Sequence, residues 1–122
     1  MLRKSILICD DLVDNCIILQ VILEMEGYKV ECATSGREAI NQIQLHKPDL
    51  LLLDVMMPEL NGFEVVKIIR QDQHLQYLPI LLITAYKQMI VPKLTHINVN
   101  RVIHKPVDSD DLVDIVHEVL QT

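Results

Sequence analysis

The stretch Leu50-Leu51-Leu52-Leu53-Asp54-Val55-Met56-Met57-Pro58 decides how the rest of the chain is read. A short apolar run bounded by polar or turn residues reads as a strand buried on both faces of a parallel sheet. Three other segments have the same form. Ile6-Leu7-Ile8 leads into Cys9-Asp10-Asp11, Ile80-Leu81-Leu82-Ile83 into Thr84-Ala85, and the weaker Val102-Ile103 into His104-Lys105-Pro106. Parallel strands release their last residues at one edge, and open α/β sheets bind ligands there. Asp10, Asp11, Asp54, the Thr84 hydroxyl and the Lys105 ammonium are therefore expected in one crevice. Carboxylates so clustered repel unless a cation joins them, and an oxygen-only donor set suits Mg²⁺. The lysine and threonine supply the positive charge and hydrogen-bond donor that a bound phosphoryl group needs.

Between these runs the chain alternates strand and helix five times, the pattern of an α/β layered fold. The sequence predicts strands at about Ser5–Cys9, Lys29–Ala33, Leu50–Leu53, from Pro79, and at Arg101–His104. The first helix is expected from about Asp14 to Glu26, with Asp14 as its cap and Gly27 just past its end. Ser35 with Glu38 three residues on reads as a capping box opening a second helix through Leu45. A third begins near Gly62. The last is capped by Asp108 or Ser109, with Asp110 and Asp111 favoured by the helix dipole.

At 122 residues, half of them hydrophobic, the chain reads as one domain spanning residues 1–122, with no linker and no room for an output domain. The net charge of −6 argues against nonspecific nucleic-acid binding. No apolar run approaches the roughly 18 residues of a membrane span. Cys9, Cys16 and Cys32 show no C-x-x-C spacing and read as reduced thiols. With no signal peptide, they point to a cytoplasmic location. His46, His74 and His117 lie in polar surroundings and read as solvated.

Taken in order, Asp10-Asp11, Asp54 with Met57-Pro58 and Asn61-Gly62, Thr84-Ala85, and Lys105-Pro106 resemble the receiver domain of two-component response regulators. The resemblance covers nearly the whole chain. It implies a flavodoxin-like, doubly wound, five-stranded parallel sheet of order 2-1-3-4-5 with helices on both faces. It also implies a phosphorelay switch more than an enzyme: Asp54 is the nucleophile that takes a phosphoryl group from phosphohistidine. Asp11, Asp54 and the Met56 carbonyl would ligate Mg²⁺ directly, with Asp10 holding the ion through water. Thr84, Ala85 and Lys105 would contact the phosphoryl group, and Pro106 would fix the lysine through a bond open to cis geometry. The implied partners are a histidine kinase or phosphotransfer protein and a downstream protein the sequence does not name. A homodimer is left open, and neither nucleic acid nor membrane is expected.

Two departures from the family pattern bear on output. Val102 stands where the family usually carries an aromatic residue, three positions before the lysine. The segment 87–100 contains Pro92 and no acidic residue, so any fourth helix should be short or irregular, begin near Pro92 and be mobile. These features keep a second reading open, a receiver-like module that no longer switches and binds a partner constitutively. An aspartyl-phosphate enzyme is a third; such enzymes usually carry an acid where Met56 stands. The first helix adds a separate expectation. Ile17, Ile18, Leu19, Val21, Ile22 and Leu23 cover more of its surface than one buried stripe requires, which predicts a docking face there.

Overall fold

In a computed structural model that describes residues 3–85 and 98–121, the apolar runs become the strands of one parallel sheet. These are β1 (Ser5–Cys9), β2 (Lys29–Ala33), β3 (Leu50–Asp54), β4 (Ile80–Thr84) and β5 (Arg101–His104), in the order β2-β1-β3-β4-β5. The described helices are α1 (Val13–Glu24), α2 (Gly36–Leu45), α3 (Gly62–Gln71) and α4 (Ser109–Leu120). The fold is doubly wound, as expected.

Side chains alternate across a strand, so each strand feeds two cores. Leu51 and Leu53 pack with Ala39 and Ile43 of α2 and with Val65, Val66 and Ile69 of α3. Leu50 and Leu52 turn the other way, toward Cys16, Leu19 and Leu23 of α1 and Leu112 and Val116 of α4. All four leucines are 0% exposed. Truncating one to alanine removes a central packing element from its layer, a change that typically costs about 2–5 kcal/mol.

Some boundaries differ from the sequence reading. β3 runs one residue further, because Asp54 pairs with Ile83 and the next amide, Val55 N–H, donates to the Ile83 carbonyl at 3.0 Å. α1 starts one residue earlier and ends two residues earlier than expected. Asp14 lies inside its first turn, and the cap position is Leu12, which offers no side-chain hydrogen bond. The chain leaves α1 through Met25 and Glu26 before Gly27 takes the left-handed conformation (φ 94°) that costs glycine little. Ser35 caps α2 by accepting from Glu38 N–H at 3.1 Å, while the Glu38 carboxylate reaches back to Thr34 instead of the cap residue. Asp108, not Ser109, caps α4.

Cys9, Cys16 and Cys32 are all free thiols, and burial pushes Cys9 and Cys16 up to about 12. His46 and His74 are exposed as expected. His117 is half-buried, with Nε2 3.7 Å from the Glu26 carboxylate and its ring 5.7 Å from that of Tyr28. Most of the segment expected to form a short, mobile helix near Pro92 (residues 86–97) lies outside the described residues. Among the described residues no helix is long and apolar enough to cross a membrane.

Candidate functional site

The sheet register brings the separated motifs to one edge. Asp10 directly follows β1 and extends its ladder, donating its N–H to the Ala33 carbonyl at 3.1 Å. Asp54 and Thr84 are the last residues of β3 and β4. Lys105 follows β5 and donates its backbone N–H to the Thr84 carbonyl at 2.8 Å. The Lys105–Pro106 peptide bond is cis.

One carboxylate oxygen from each of Asp10, Asp11 and Asp54 lies within 4.8 Å of the others. Lys105 Nζ sits 3.4 Å from Asp10 Oδ2 and 3.4 Å from Asp54 Oδ1. Asp10 is 2% exposed and Asp54 5%, so water screens this cluster poorly. Burial, then repulsion from Asp10, pushes the Asp54 carboxyl up to about 6, against the opposing pull of Lys105. Three converging carboxylates of which one is hard to ionise form a donor set that a hard divalent cation would relieve.

The two loops that carry the carboxylates are held differently. After Asp54 the chain is fixed by its own residues. Asn61 caps α3 by accepting from Glu64 N–H at 3.0 Å, and Glu64 returns the bond to Asn61 N–H at 3.0 Å. Gly62 lies so close to β3 that a Cβ there would stand 2.6 Å from the Asp54 carbonyl oxygen, which excludes any larger residue without movement. Asp54 therefore caps no helix, and its side chain faces the acidic cluster and Lys105. After Asp10, by contrast, the site carboxylate itself receives the start of α1. It accepts from Leu12 N–H at 2.9 Å and from Asn15 Nδ2 at 3.2 Å.

Thr84 is fully buried at the end of β4, Ala85 beyond it is exposed, and Met56 is exposed in the loop after Asp54. Every residue expected at the site thus lies at the carboxyl edge. Two contributors escaped the sequence reading. The Asn61–Glu64 box had a signal, an N-x-x-E opening a helix. Asn15 had none, since its amide meets Asp10 only once α1 is placed.

Residues 6–117 match the response regulator receiver domain. The chain belongs to that family. Receiver domains are signalling modules of two-component systems, and they bind Mg²⁺ at an acidic pocket of the kind that Asp10, Asp11 and Asp54 form here. The receiver is 34% identical over 85 residues to the polar-differentiation response regulator DivK of Brucella ovis, covering 70% of this chain and 69% of that protein. It is 46% identical over 84 residues to the alkaline phosphatase synthesis transcriptional regulatory protein PhoP of Bacillus subtilis. That match covers 69% of this chain and only 34% of PhoP. Among solved structures, the Vibrio cholerae chemotaxis protein CheY4 superposes with a TM-score of 0.90 at 28% identity, over 97% of this chain and 99% of that one.

The expected apolar excess on α1 is present. Leu19 and Leu23 are buried and Ile22 is half-buried, but Ile17, Ile18 and Val21 are 51%, 58% and 52% exposed. Beside them a groove of about 260 Å³ runs between Ile18 on α1 and Pro106-Val107, with Asp10 and Lys105 in its wall.

Proposed function

We propose that this receiver accepts a phosphoryl group on Asp54 from the phosphohistidine of a histidine kinase or phosphotransfer protein, and signals through protein contacts. The observation that carries the reading is the Lys105 ammonium 3.4 Å from both Asp10 and Asp54, with Asp11 completing the acidic cluster. An Asp54 carboxylate oxygen attacks phosphorus in line, a P–O bond forms, and the P–N bond breaks with its electron pair going to the imidazole. Bound Mg²⁺ would neutralise charge on the transferring oxygens. Asp11, Asp54 and the Met56 carbonyl would ligate it, with Asp10 acting through water. Lys105 holds one phosphoryl oxygen, and the Thr84 hydroxyl and the Ala85 backbone N–H take others. The phosphodonor docks on the exposed face of α1 and the adjoining groove. The module works in the cytoplasm, where such donors and Mg²⁺ meet.

Acetyl phosphate with Mg²⁺ should add one phosphoryl group to the wild type, read by intact-protein mass, and none to Asp54→Asn. Labelling of both would sink the assignment. Asp11→Ala should remove labelling and weaken Mg²⁺ binding by at least about 10-fold, since losing even an outer partner of a ligand costs about 10–100-fold; unchanged Mg²⁺ affinity would show the metal site to be elsewhere.

A non-switching module remains the second reading because of Val102. Its side chain is half-buried against the α2/α3 core and offers no aromatic ring to reorient. Lys105→Ala separates the two. In a switching receiver, loss of the ammonium leaves labelling detectable but abolishes the spectral change that phosphorylation produces in the wild type. A wild type whose NMR spectrum shows no change on labelling would favour the constitutive module.

A further inference from the structure

Between Lys4 and Lys29 the sequence contains no lysine, arginine or histidine. That stretch holds Asp10 and Asp11 and the whole of α1. On α1 and its C-cap residue, Val13, Ile17, Val21 and Met25 follow one another at four-residue spacing and all are at least half exposed. Such a row is a ridge of the kind that fits between the ridges of another helix. The charged residues of α1 and of the turn after it are all acidic: Asp14, Glu24 and Glu26 are exposed, with His117 of α4 3.7 Å from Glu26. Across the groove, Pro106-Val107 lead straight into exposed Asp108, Asp110 and Asp111. The cation in the groove wall, Lys105, already stands between Asp10 and Asp54. The docking face is thus apolar at its centre and acidic on both banks.

This charge pattern selects the occupant. A second copy of the chain, packed antiparallel on α1 about Leu19, would set Asp14 against Glu24 of its mate at both ends, and like charges so placed repel. A helix with acidic borders meets the same penalty. We infer that the partner docking here presents a helix whose apolar stripe is bordered by lysine or arginine, so that charge as well as shape admits the phosphodonor. The inference rests on the phosphotransfer reading above.

The test uses two synthetic amphipathic helices with the same leucine stripe, one bordered by lysine and arginine, the other by glutamate. Each is titrated into the full isotope-labelled chain and followed by NMR. The basic helix should shift the amides of Ile17, Ile18, Val21 and Val107, and its affinity should fall about tenfold when ionic strength rises from about 0.05 M to about 0.5 M. The acidic helix should not bind, and the double substitution Asp14→Lys with Glu24→Lys should reverse the preference. Equal binding of both helices, shifts confined to other surfaces, or self-association of the chain through α1 in sedimentation would overturn the inference. Acetyl phosphate labelling of the wild type, which involves no docking helix, is measured alongside. Absent labelling would remove the phosphotransfer reading and this inference with it; intact labelling with no discrimination between the helices would remove this inference alone.

Discussion

α1 and α3 lie on opposite faces of the sheet and both begin at the acidic crevice, yet they are built on different terms. α3 is self-sufficient. Asn61 and Glu64 satisfy its first amides, Gly62 seats it against β3, and Val65, Val66 and Ile69 go into the core. α1 has no side-chain cap of its own, borrows Asp10 for its first turn, and buries three residues while showing an apolar row to solvent. The difference separates stability from function. Where the loop is held by its own residues, the site carboxylate Asp54 is spared helix capping and left buried beside Asp10, where ionisation is penalised. Where the site carboxylate also holds the helix, Asp10 is a fixed part of the frame, and the helix beyond it leaves an apolar row exposed.

The largest effect expected from this contrast concerns Asp54. Its carboxyl is raised to about 6 from 3.8, so between those values the folded state binds more protons than the unfolded state. The stability that Asp54 contributes should therefore be full below about pH 4 and be lost as pH rises through 6, a fall of up to about 3 kcal/mol in metal-free protein. Asp54→Asn should abolish that fall and be more stable than the wild type at pH 7, and Mg²⁺ should restore the wild type. Urea unfolding of both proteins across pH would check it; a difference between wild type and Asp54→Asn that did not change from about pH 4 to pH 7 would mean that Asp54 is not held under this penalty.

Asp10→Ala should behave in the opposite sense. It removes the acceptor for Leu12 N–H and Asn15 Nδ2, so a loss of about 2 kcal/mol is expected together with loss of labelling. If Asp10→Ala were stabilising, like Asp54→Asn, the proposed division between frame and reacting group would fail. The smallest effect is at α3. Asn61→Ala should cost about 1 kcal/mol, the usual worth of a cap, and leave Asp54 labelling in place. A variant that kept its stability but lost labelling would show that the box serves the chemistry and not the helix.

Much of this receiver is legible in its amino-acid order. The four leucines and the runs at Ile6, Ile80 and Val102 locate the strands because a two-face-buried strand leaves a continuous apolar signature. The polar residue ending each run marks the site because parallel strands all finish at the same edge. What stays hidden depends on distance through space. The apolar residues of α1 can be counted, but which of them face solvent follows from where β1, β2 and α4 press against it. Asp14 resembles a cap because capping residues are judged by neighbours in sequence, whereas the amide of Leu12 is served by Asp10. His117 reads as solvated because its partners, Glu26 and Tyr28, lie far from it along the chain.

The sequence by itself determined the fold class, the order of strand and helix, and the strand ends at which Asp10, Asp11, Asp54 and Lys105 meet, since periodicity and strand-end placement are local properties. Only the tertiary structure decided how those side chains differ. The burial of Asp54, the 3.4 Å placement of Lys105 between two carboxylates, and the use of Asp10 by α1 all arise from strands brought together across the sheet. Charges and hydrogen bonds act over ångströms of space, and residues 10, 54 and 105 become neighbours only when the sheet has formed.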